Sequence, residues 1–277
     1  MKFSLGSELI YTAERETTLI LNIEAQHMQA GQKVLRERFA INPDLRSEPH
    51  EIPETLNRYR RLVLQPGRYT IRYEAEVATD PVLTHPGQVD EVPVAELPLG
   101  VMSHLFPSRY CESDQLARFA WRRFGDAPAG HQRVDAICDW IHDNVDYLEG
   151  SSDGSTSAYD TFTTRAGVCR DFAHLGITFC RALGIPARFV SAYGWKLEPQ
   201  DFHAVFEAYL SGRWYLFDPT RLSPPDGVIR IGVGRDAADT AFATWFGQMQ
   251  SEPKSVWVEA VAEATAAPEQ AVSLSAT

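Results

Sequence analysis

The sequence predicts an α+β protein in which an N-terminal β-sandwich is followed by a helical region and an antiparallel sheet. Three observations support this fold class. The segment 67–78, GRYTIRYEAEVA, alternates apolar and polar residues with the period of a half-buried strand. Helical periodicity begins only at Ser113 and again at His131. After Pro186 the pattern returns to apolar strands, so the helices precede a sheet rather than alternate with its strands.

The first part of the chain, residues 1–105, is predicted to be the β-sandwich domain. Its clearest strand places its apolar residues on one face, and these are Tyr69, Ile71, Tyr73, Ala75 and Val77. The segment 17–25, TTLILNIEA, alternates similarly, and Pro66-Gly67 marks the turn before the long strand. No helical stripe interrupts this region, which has the length of a sandwich domain of about 100 residues.

A second domain is predicted over residues 106–262, after the proline-rich linker THPGQVDEVPVAELPLG. Its third helix begins at Cys169 and ends at Gly184, because glycine readily adopts the left-handed conformation that commonly follows a helix. The strands ARFVSAYGW, FHAVFEAYL and RWYLFDPT come next. Residues 263–277 are small, polar and proline-containing, and they are expected to form a flexible tail.

The composition is that of a soluble globular protein. The chain has 277 residues, of which 44% are hydrophobic, and its 26 Lys and Arg against 37 Asp and Glu give a net charge of -11. An acidic chain without a basic run argues against nucleic acid or an anionic membrane as a partner. The N-terminal residues carry charges throughout, and no segment approaches the roughly 20 apolar residues of a membrane span. We therefore expect a cytoplasmic location.

The four cysteines separate into two core residues and two thiols that need another explanation. None forms a C-x-x-C pair, which argues against a structural zinc site, and a reducing cytoplasm argues against a disulfide. Cys138 and Cys180 lie on apolar helical stripes and are predicted to be buried. Cys169 and, more weakly, Cys111 remain. Cys169 lies at a predicted helix start, where the unpaired N–H groups and the helix dipole favour a thiolate over a thiol.

A cysteine nucleophile needs a base and a residue that orients the base, and the segment 201–220 offers both. His203 and Asp218 flank a predicted hairpin whose turn is at Ser211-Gly212. With a two-residue loop Asp218 faces Val205, which shares a sheet face with His203 because side chains alternate with period two. An even-length loop therefore brings His203 and Asp218 within reach of each other, whereas a three-residue loop puts them on opposite faces.

Three motifs together resemble the transglutaminase-like superfamily, in its bacterial transglutaminase-like cysteine protease branch. They are GVCRDFAHL at 167–175, DFHAVFEAYLSGRWYLFDPT at 201–220 and GVGRDAADTAF at 232–242. The resemblance covers residues 110–260, and the preceding β region is similar to the N-terminal β domain of that branch.

This resemblance implies a papain-like fold, in which a helix bearing the cysteine packs on an antiparallel sheet bearing the other two residues. It makes Cys169 the nucleophile, His203 the general base and acid, and Asp218 the residue that orients the imidazole. The implied reaction is acyl transfer from a carboxamide of a peptide or protein substrate through a thioester. The oxyanion would be held partly by the backbone N–H of Cys169. Neither a cofactor nor a metal ion is implied.

Alternatives remain open. The fold could serve as a catalytically silent peptide- or protein-binding module, or as a protein cross-linking transglutaminase. Hydrolysis of peptide or isopeptide bonds is favoured because the sequence contains no recognisable acceptor-amine site. Asp171 is expected to complement the helix dipole or to pair with Arg235, and His174 to support the site from behind or to lie in the core. Candidates for a second oxyanion donor are Trp140, Tyr159 and Thr156.

Overall fold

A computed structural model describes residues 1–28, 30–261 and 270–275, and it has the predicted α+β architecture. The N-terminal part consists of strands, which are β1 (Lys2–Ala13), β2 (Thr17–Leu21), β3 (Gln32–Asn42), β4 (Glu48–Glu51), β5 (Arg58–Leu64), β6 (Gly67–Thr79) and β7 (Val82–Thr84). The two longest, β1 and β6, pair antiparallel over their whole length. Their apolar residues alternate with polar ones, which leaves one face of the pair in the core.

Helices follow the linker and form the layer that carries Cys169. In chain order the elements of this layer are α1 (Ser113–Phe124), α2 (His131–Asn144), β8 (Asp146–Tyr147), α3 (Ala158–Thr164), β9 (Ala166–Gly167) and α4 (Cys169–Ala182). The short strands β8 and β9 pair in parallel. As predicted, α4 begins at Cys169, and Gly184 just beyond its end has a positive φ of 83°.

The remaining strands include those of the sheet on which α4 packs. They are β10 (Ala187–Gly194), β11 (Phe202–Leu210), β12 (Arg213–Phe217), β13 (Val228–Gly234), β14 (Ala243–Phe246), β15 (Met249–Ser251), β16 (Ser255–Ala260) and β17 (Ala271–Ser273). The antiparallel sheet has the order β13-β10-β11-β12-β17-β7. Helix α4 lies close to β11 because position 176 is glycine: a Cβ there would come within 2.5 Å of the Phe206 ring.

The N-terminal strands form a sandwich of two sheets, which strands from the C-terminal region complete. One sheet has the order β15-β1-β6-β3, with β16 also paired to β1, and the other has the order β14-β2-β5-β4. The core of the sandwich contains fully buried aromatic and aliphatic residues, among them Phe3, Leu19, Ile71, Tyr73 and Val77. Burial of such residues is the main favourable term in folding of this part of the chain.

Strands from both ends of the chain cross the predicted boundaries of 1–105 and 106–262. Strands β14–β16 lie within the second range but pair with the sandwich strands β1 and β2. Strand β7 lies within the first range but forms an edge of the six-stranded sheet. Composition alone could not reveal this exchange, because each of these short strands is placed by long-range pairing.

Part of the segment predicted to be a flexible tail, 263–277, is ordered in the sheet, and for that part the prediction is wrong. Val272 pairs with Leu216 in β12, and Leu274 is 0% exposed. The apolar residues in this segment are too few to show periodicity, yet they are enough to complete a sheet edge. Residues 263–269 and 276–277 lie outside the described residues.

A side-chain amide joins the sandwich to the edge strand β13. The Nδ2 of Asn57 donates to the Val233 carbonyl at 2.8 Å, and its Oδ1 accepts from the Val233 N–H at 2.9 Å. The Nε2 of Gln26 donates to the same Oδ1 at 2.8 Å. Asn57 is 2% exposed. Its amide therefore continues the hydrogen-bond ladder of the sheet that also carries the candidate site.

We expect the Asn57→Ala variant to unfold more easily than the wild type by about 2–4 kcal/mol, because both backbone groups of Val233 lose a buried partner. Urea unfolding followed by tryptophan fluorescence measures the difference. Thr55→Ala is the matched control: it removes a longer bond of 3.3 Å to the Asn57 N–H and should cost less than about 1 kcal/mol. Equal midpoints for the two variants would contradict the role given to Asn57.

Candidate active site

Cys169 is half-buried at the first position of α4, and its neighbours fix the helix start there. The Oδ2 of Asp171, which is fully buried, accepts the Val168 N–H at 2.9 Å, and its Oδ1 accepts from the Arg170 guanidinium at 3.0 Å. Position 167 suits only glycine, since a Cβ there would approach the Asp171 Cβ to 2.8 Å. The motif GVCRD thus places the Cys169 thiol at the unpaired N–H groups of a helix start.

His203 lies in β11 and Asp218 directly follows the neighbouring strand β12, in the sheet that α4 covers. The connection between β11 and β12 is the two-residue loop Ser211-Gly212, with Leu210 paired to Arg213. Both loop residues have positive φ, 45° and 80°, as the favoured hairpin turns require. The resulting register brings the two side chains together, and His203 Nε2 donates to Asp218 Oδ2 at 2.8 Å.

Asp218 is held by further hydrogen bonds beyond the end of β12. Its Oδ1 accepts from the hydroxyl of Thr220 at 2.6 Å and from the Thr220 N–H at 2.9 Å. The Ser223 N–H donates to Oδ2 at 3.3 Å. The chain also turns at Asp218-Pro219, where the Arg221 N–H donates to the Asp218 carbonyl at 3.2 Å. The turn orients the carboxylate, and the carboxylate in turn orients the imidazole of His203.

The electrostatics of the three residues favour a charged imidazole. Burial disfavours the imidazolium, but the Asp218 carboxylate and the Cys169 side chain outweigh burial and raise the pKa of His203 to about 10. Burial would also raise the pKa of Asp218, but His203 and Thr220 hold it below its usual range. The other ring nitrogen of His203, Nδ1, has no oxygen or nitrogen partner within the described residues, and it is the nitrogen left to serve the thiol.

The other three cysteines have environments unlike that of Cys169. Cys111, Cys138 and Cys180 are all buried, at 0%, 7% and 0% exposure. Burial raises the pKa of Cys111 to about 12, and it raises the pKa values of Cys138 and Cys180 as well. The predictions of buried Cys138 and Cys180 are confirmed, and Cys111 also belongs to the core. Cys169 is the thiol that borders a cleft.

Two polar residues near Cys169 turn out to support the helix and the core. Asp171 complements the N-terminus of α4, which confirms the first of its two predicted roles. The predicted pairing of Asp171 with Arg235 is wrong, because Arg235 pairs with Asp239 at 3.1 Å. His174 is fully buried, and its Nε2 accepts the Ala237 N–H at 3.1 Å. Burial lowers the pKa of His174 well below its usual value, so the ring is neutral.

Tyr147, which sequence reasoning missed, contacts the nucleophile candidate. Pairing of β8 with β9 places Tyr147 opposite Gly167, two residues before Cys169. The Tyr147 hydroxyl interacts with both the side chain and the backbone N–H of Cys169, and burial together with the thiol raises the pKa of this phenol. Of the three residues proposed from sequence, Trp140 packs among core aromatics and Thr156 caps a turn at Asp153. Tyr159 lies on α3 and is 41% exposed, against 44% for Tyr147.

A cleft of about 370 Å³ opens beside Cys169 and His203. Its walls come from α4, from β10, β11 and β13, and from the segment that leads into β14. The Phe202 and Phe242 rings stack at 5.1 Å along one wall. The Tyr110 ring, stacked on the buried His174 at 5.1 Å, lies at the other side. The thiol of Cys169 and the imidazole of His203 therefore border the same open cleft.

A cysteine at a helix start, facing a histidine and an aspartate on an antiparallel sheet, defines the papain-like class of α+β proteins. Residues 120–219 match the sequence model of the transglutaminase-like superfamily core. Residues 1–99 match the model of the bacterial transglutaminase N-terminal domain. The chain therefore belongs to the transglutaminase-like superfamily, with the N-terminal domain of its bacterial members.

Known proteins similar to this chain include one solved structure of nearly the same extent. A protein of Cytophaga hutchinsonii described as a "Putative Cysteine Protease" is 40% identical, with a TM-score of 0.93 over 99% of this chain and 97% of that chain. An uncharacterized protein of Mycobacterium leprae is 31% identical over 147 residues, 50% of this chain and 52% of that protein. One of Mycobacterium tuberculosis is 33% identical over 114 residues, 36% of each. The chain thus spans about half or less of these curated relatives.

Proposed function

We propose that this protein is a cysteine hydrolase or acyltransferase that acts on carboxamide bonds of peptides or proteins through a Cys169, His203 and Asp218 triad. The observation that carries the proposal is the position of His203 between the other two residues. One ring nitrogen is bonded to Asp218 at 2.8 Å, and the other is left for the thiol. A raised imidazole pKa next to a cysteine at a helix start is the arrangement that activates a thiolate.

In the acylation step, the Cys169 thiolate attacks the carbonyl carbon of the scissile amide. A C–S bond forms, and the carbonyl π electrons move to the oxygen. When this intermediate collapses, the imidazolium of His203 gives its Nδ1 proton to the leaving nitrogen and the C–N bond breaks. The amine departs and a thioester remains on Cys169. Asp218 stays ionised throughout and stabilises the imidazolium.

In the deacylation step, the now neutral His203 accepts a proton at Nδ1 from water or from a second amine. The deprotonated nucleophile attacks the thioester carbon, and the C–S bond breaks to return the Cys169 thiolate. The imidazolium–thiolate pair is thereby restored. Hydrolysis and transfer to an amine share every step except the identity of this second nucleophile.

The oxyanion of both steps would be stabilised by the Cys169 N–H and by the hydroxyl of Tyr147. In the resting state this hydroxyl interacts with the thiol and with the same N–H. Once the thiolate has formed the C–S bond, its sulfur is a poor hydrogen-bond acceptor, so the phenol O–H is free to donate to the oxyanion of each tetrahedral intermediate. The raised phenol pKa keeps that proton in place at neutral pH.

We expect Tyr147→Phe to lower kcat by about 10²-fold with little change in KM, because one donor to the transition-state oxyanion is lost. Steady-state kinetics measures the split between kcat and KM. Tyr159→Phe is the matched control, since Tyr159 is an exposed tyrosine of the neighbouring helix α3 and should retain full activity. A Tyr147→Phe variant as active as the wild type would exclude the phenol as an oxyanion donor.

The proposed activity can be tested without knowing the natural substrate. The purified protein is incubated with a peptide library, with and without a fluorescent primary amine, and new termini and amine adducts are identified by mass spectrometry. New amino termini that are absent with Cys169→Ala support hydrolysis. Amine adducts that depend on Cys169 support the acyltransferase or cross-linking alternative. Binding of peptides with neither product would instead support a silent binding module.

A further inference from the structure

The cleft beside the catalytic residues is apolar inside and has its charged groups at the edge. Inside lie the side chains of Phe189, Phe202, Ala204, Ile231, Phe242 and Ala243. At the edge, Lys254 pairs with Asp201 at 2.9 Å. Arg170 also borders the cleft, but its guanidinium is bonded to Asp171 at 3.0 Å. The charged side chains that border the cleft are thus paired: Lys254 with Asp201, Arg170 with Asp171 and His203 with Asp218.

Desolvation decides which side chain such a cleft accepts. An ionised side chain that entered it would lose hydration and meet no unpaired opposite charge, which is unfavourable. A large apolar side chain would instead remove the exposed Phe242 ring, 39% accessible, from water. The volume of about 370 Å³ lies at the lower end of the range for small-molecule sites and suits one large side chain with its flanking main chain.

Besides His203 Nδ1, a buried hydroxyl of a cleft-lining residue is without a partner in the described part of the chain. The residue Thr240 is 2% exposed and lines the cleft, and its Oγ1 has no hydrogen-bond partner among the described residues. Buried hydroxyls are normally bonded, so an orphaned one in a cleft indicates a ligand group. A hydroxyl can both donate and accept, which matches the N–H or C=O of a substrate main chain.

We propose that this cleft is the acyl-donor subsite and that it selects a bulky apolar residue next to the scissile carbonyl, with Thr240 bonding that residue's main chain. This inference rests on the proposed function, because it names the substrate class of the same site. In the wall made by Phe242 and Ala243, Phe242 directly precedes the sandwich strand β14 and Ala243 is its first residue. The sandwich therefore contributes directly to substrate selection.

Alkylation rates of Cys169 test the subsite with defined probes. The probes are iodoacetamide, N-benzyl iodoacetamide and the anionic N-(carboxymethyl) iodoacetamide, with each rate measured by mass spectrometry and divided by the rate for glutathione. We expect the normalised rate of the benzyl probe to exceed that of iodoacetamide by about tenfold or more, and the anionic probe to be slowest. Equal normalised rates at a readily labelled Cys169 would overturn the subsite and leave the triad standing.

Two variants locate the selectivity within the cleft. Ala243→Trp fills it and should abolish the benzyl advantage, whereas Leu99→Trp adds the same side chain at a position 87% exposed and should retain the advantage. A fourth probe, iodoacetyl-phenylalaninamide, adds a main-chain amide to the benzyl group and should label Cys169 faster than the benzyl probe does. Thr240→Val should remove this rate difference between the two probes. A benzyl advantage that survives in Ala243→Trp would overturn the assignment. Failure of every probe to label Cys169 selectively would overturn the proposed function itself.

Discussion

Replacing Cys169 by alanine is expected to reduce turnover by at least about 10³-fold, to the background of the assay, while the protein remains folded. The reason is that no other described thiol borders the cleft: Cys111, Cys138 and Cys180 are buried. Without a nucleophile no thioester forms, and the oxyanion donors alone give only residual rate enhancement. The measurement is kcat/KM on a cleaved library peptide, together with the thermal midpoint.

Cys138→Ala is the matched control for this substitution, and it should behave in the opposite way. Cys138 is 7% exposed and lies on the buried face of α2. Its truncation should lower the free energy of unfolding by about 1–2 kcal/mol and leave kcat/KM nearly unchanged. A Cys169→Ala protein that retains full turnover would remove Cys169 from the mechanism.

The second large effect is expected for His203→Ala, which should lower kcat by about 10³–10⁴-fold. This substitution removes the proton donor and acceptor and also the cation beside the thiol. Because His203 is 2% exposed next to the cleft, the variant leaves a space of imidazole shape. Added imidazole should therefore restore part of the activity, a result that a merely structural histidine would not give.

Asp218→Asn separates the charge of the aspartate from its shape. The amide can still hold the ring of His203, but the charge that raises the imidazole pKa is lost. Without that charge the pKa of His203 in the folded protein falls from about 10 toward its ordinary value. The imidazolium is therefore depleted as the pH rises above neutral. We expect the alkaline limb of the pH–kcat/KM profile to fall at a lower pH in Asp218→Asn than in the wild type. Identical profiles would show that the Asp218 charge does not act through His203.

The sequence was sufficient for the fold class and for bringing His203 and Asp218 together. The hairpin could be analysed because Ser211-Gly212 specifies a two-residue turn, and an even loop length fixes the face of every residue on both strands. The start of α4 was readable because a glycine before it and an aspartate after it are local signals. Such features depend on residues close together in the chain.

The parts that could not be predicted depend on contacts between distant residues. Tyr147 reaches Cys169 only through the two-residue pairing of β8 with β9, which leaves no periodicity in the sequence. The cleft wall at Phe242 exists because the following strand β14 returns to the sandwich. Composition likewise gave no sign of strand β17, or of the pairing of β14–β16 with sandwich strands, because long-range pairing places each of these short strands.

The triad is tested most directly by the pH dependence of cysteine alkylation by iodoacetamide, followed by mass spectrometry in the wild type and in His203→Ala. His203, with a pKa of about 10, stays protonated at pH 6 and keeps a positive charge beside the Cys169 sulfur. We therefore expect selective labelling of Cys169 at pH 6 in the wild type. In His203→Ala this labelling should be at least about tenfold slower and should return only at alkaline pH. Labelling of Cys169 no faster than that of the buried Cys111, or equally fast without His203, would contradict the activated pair and with it the proposed mechanism.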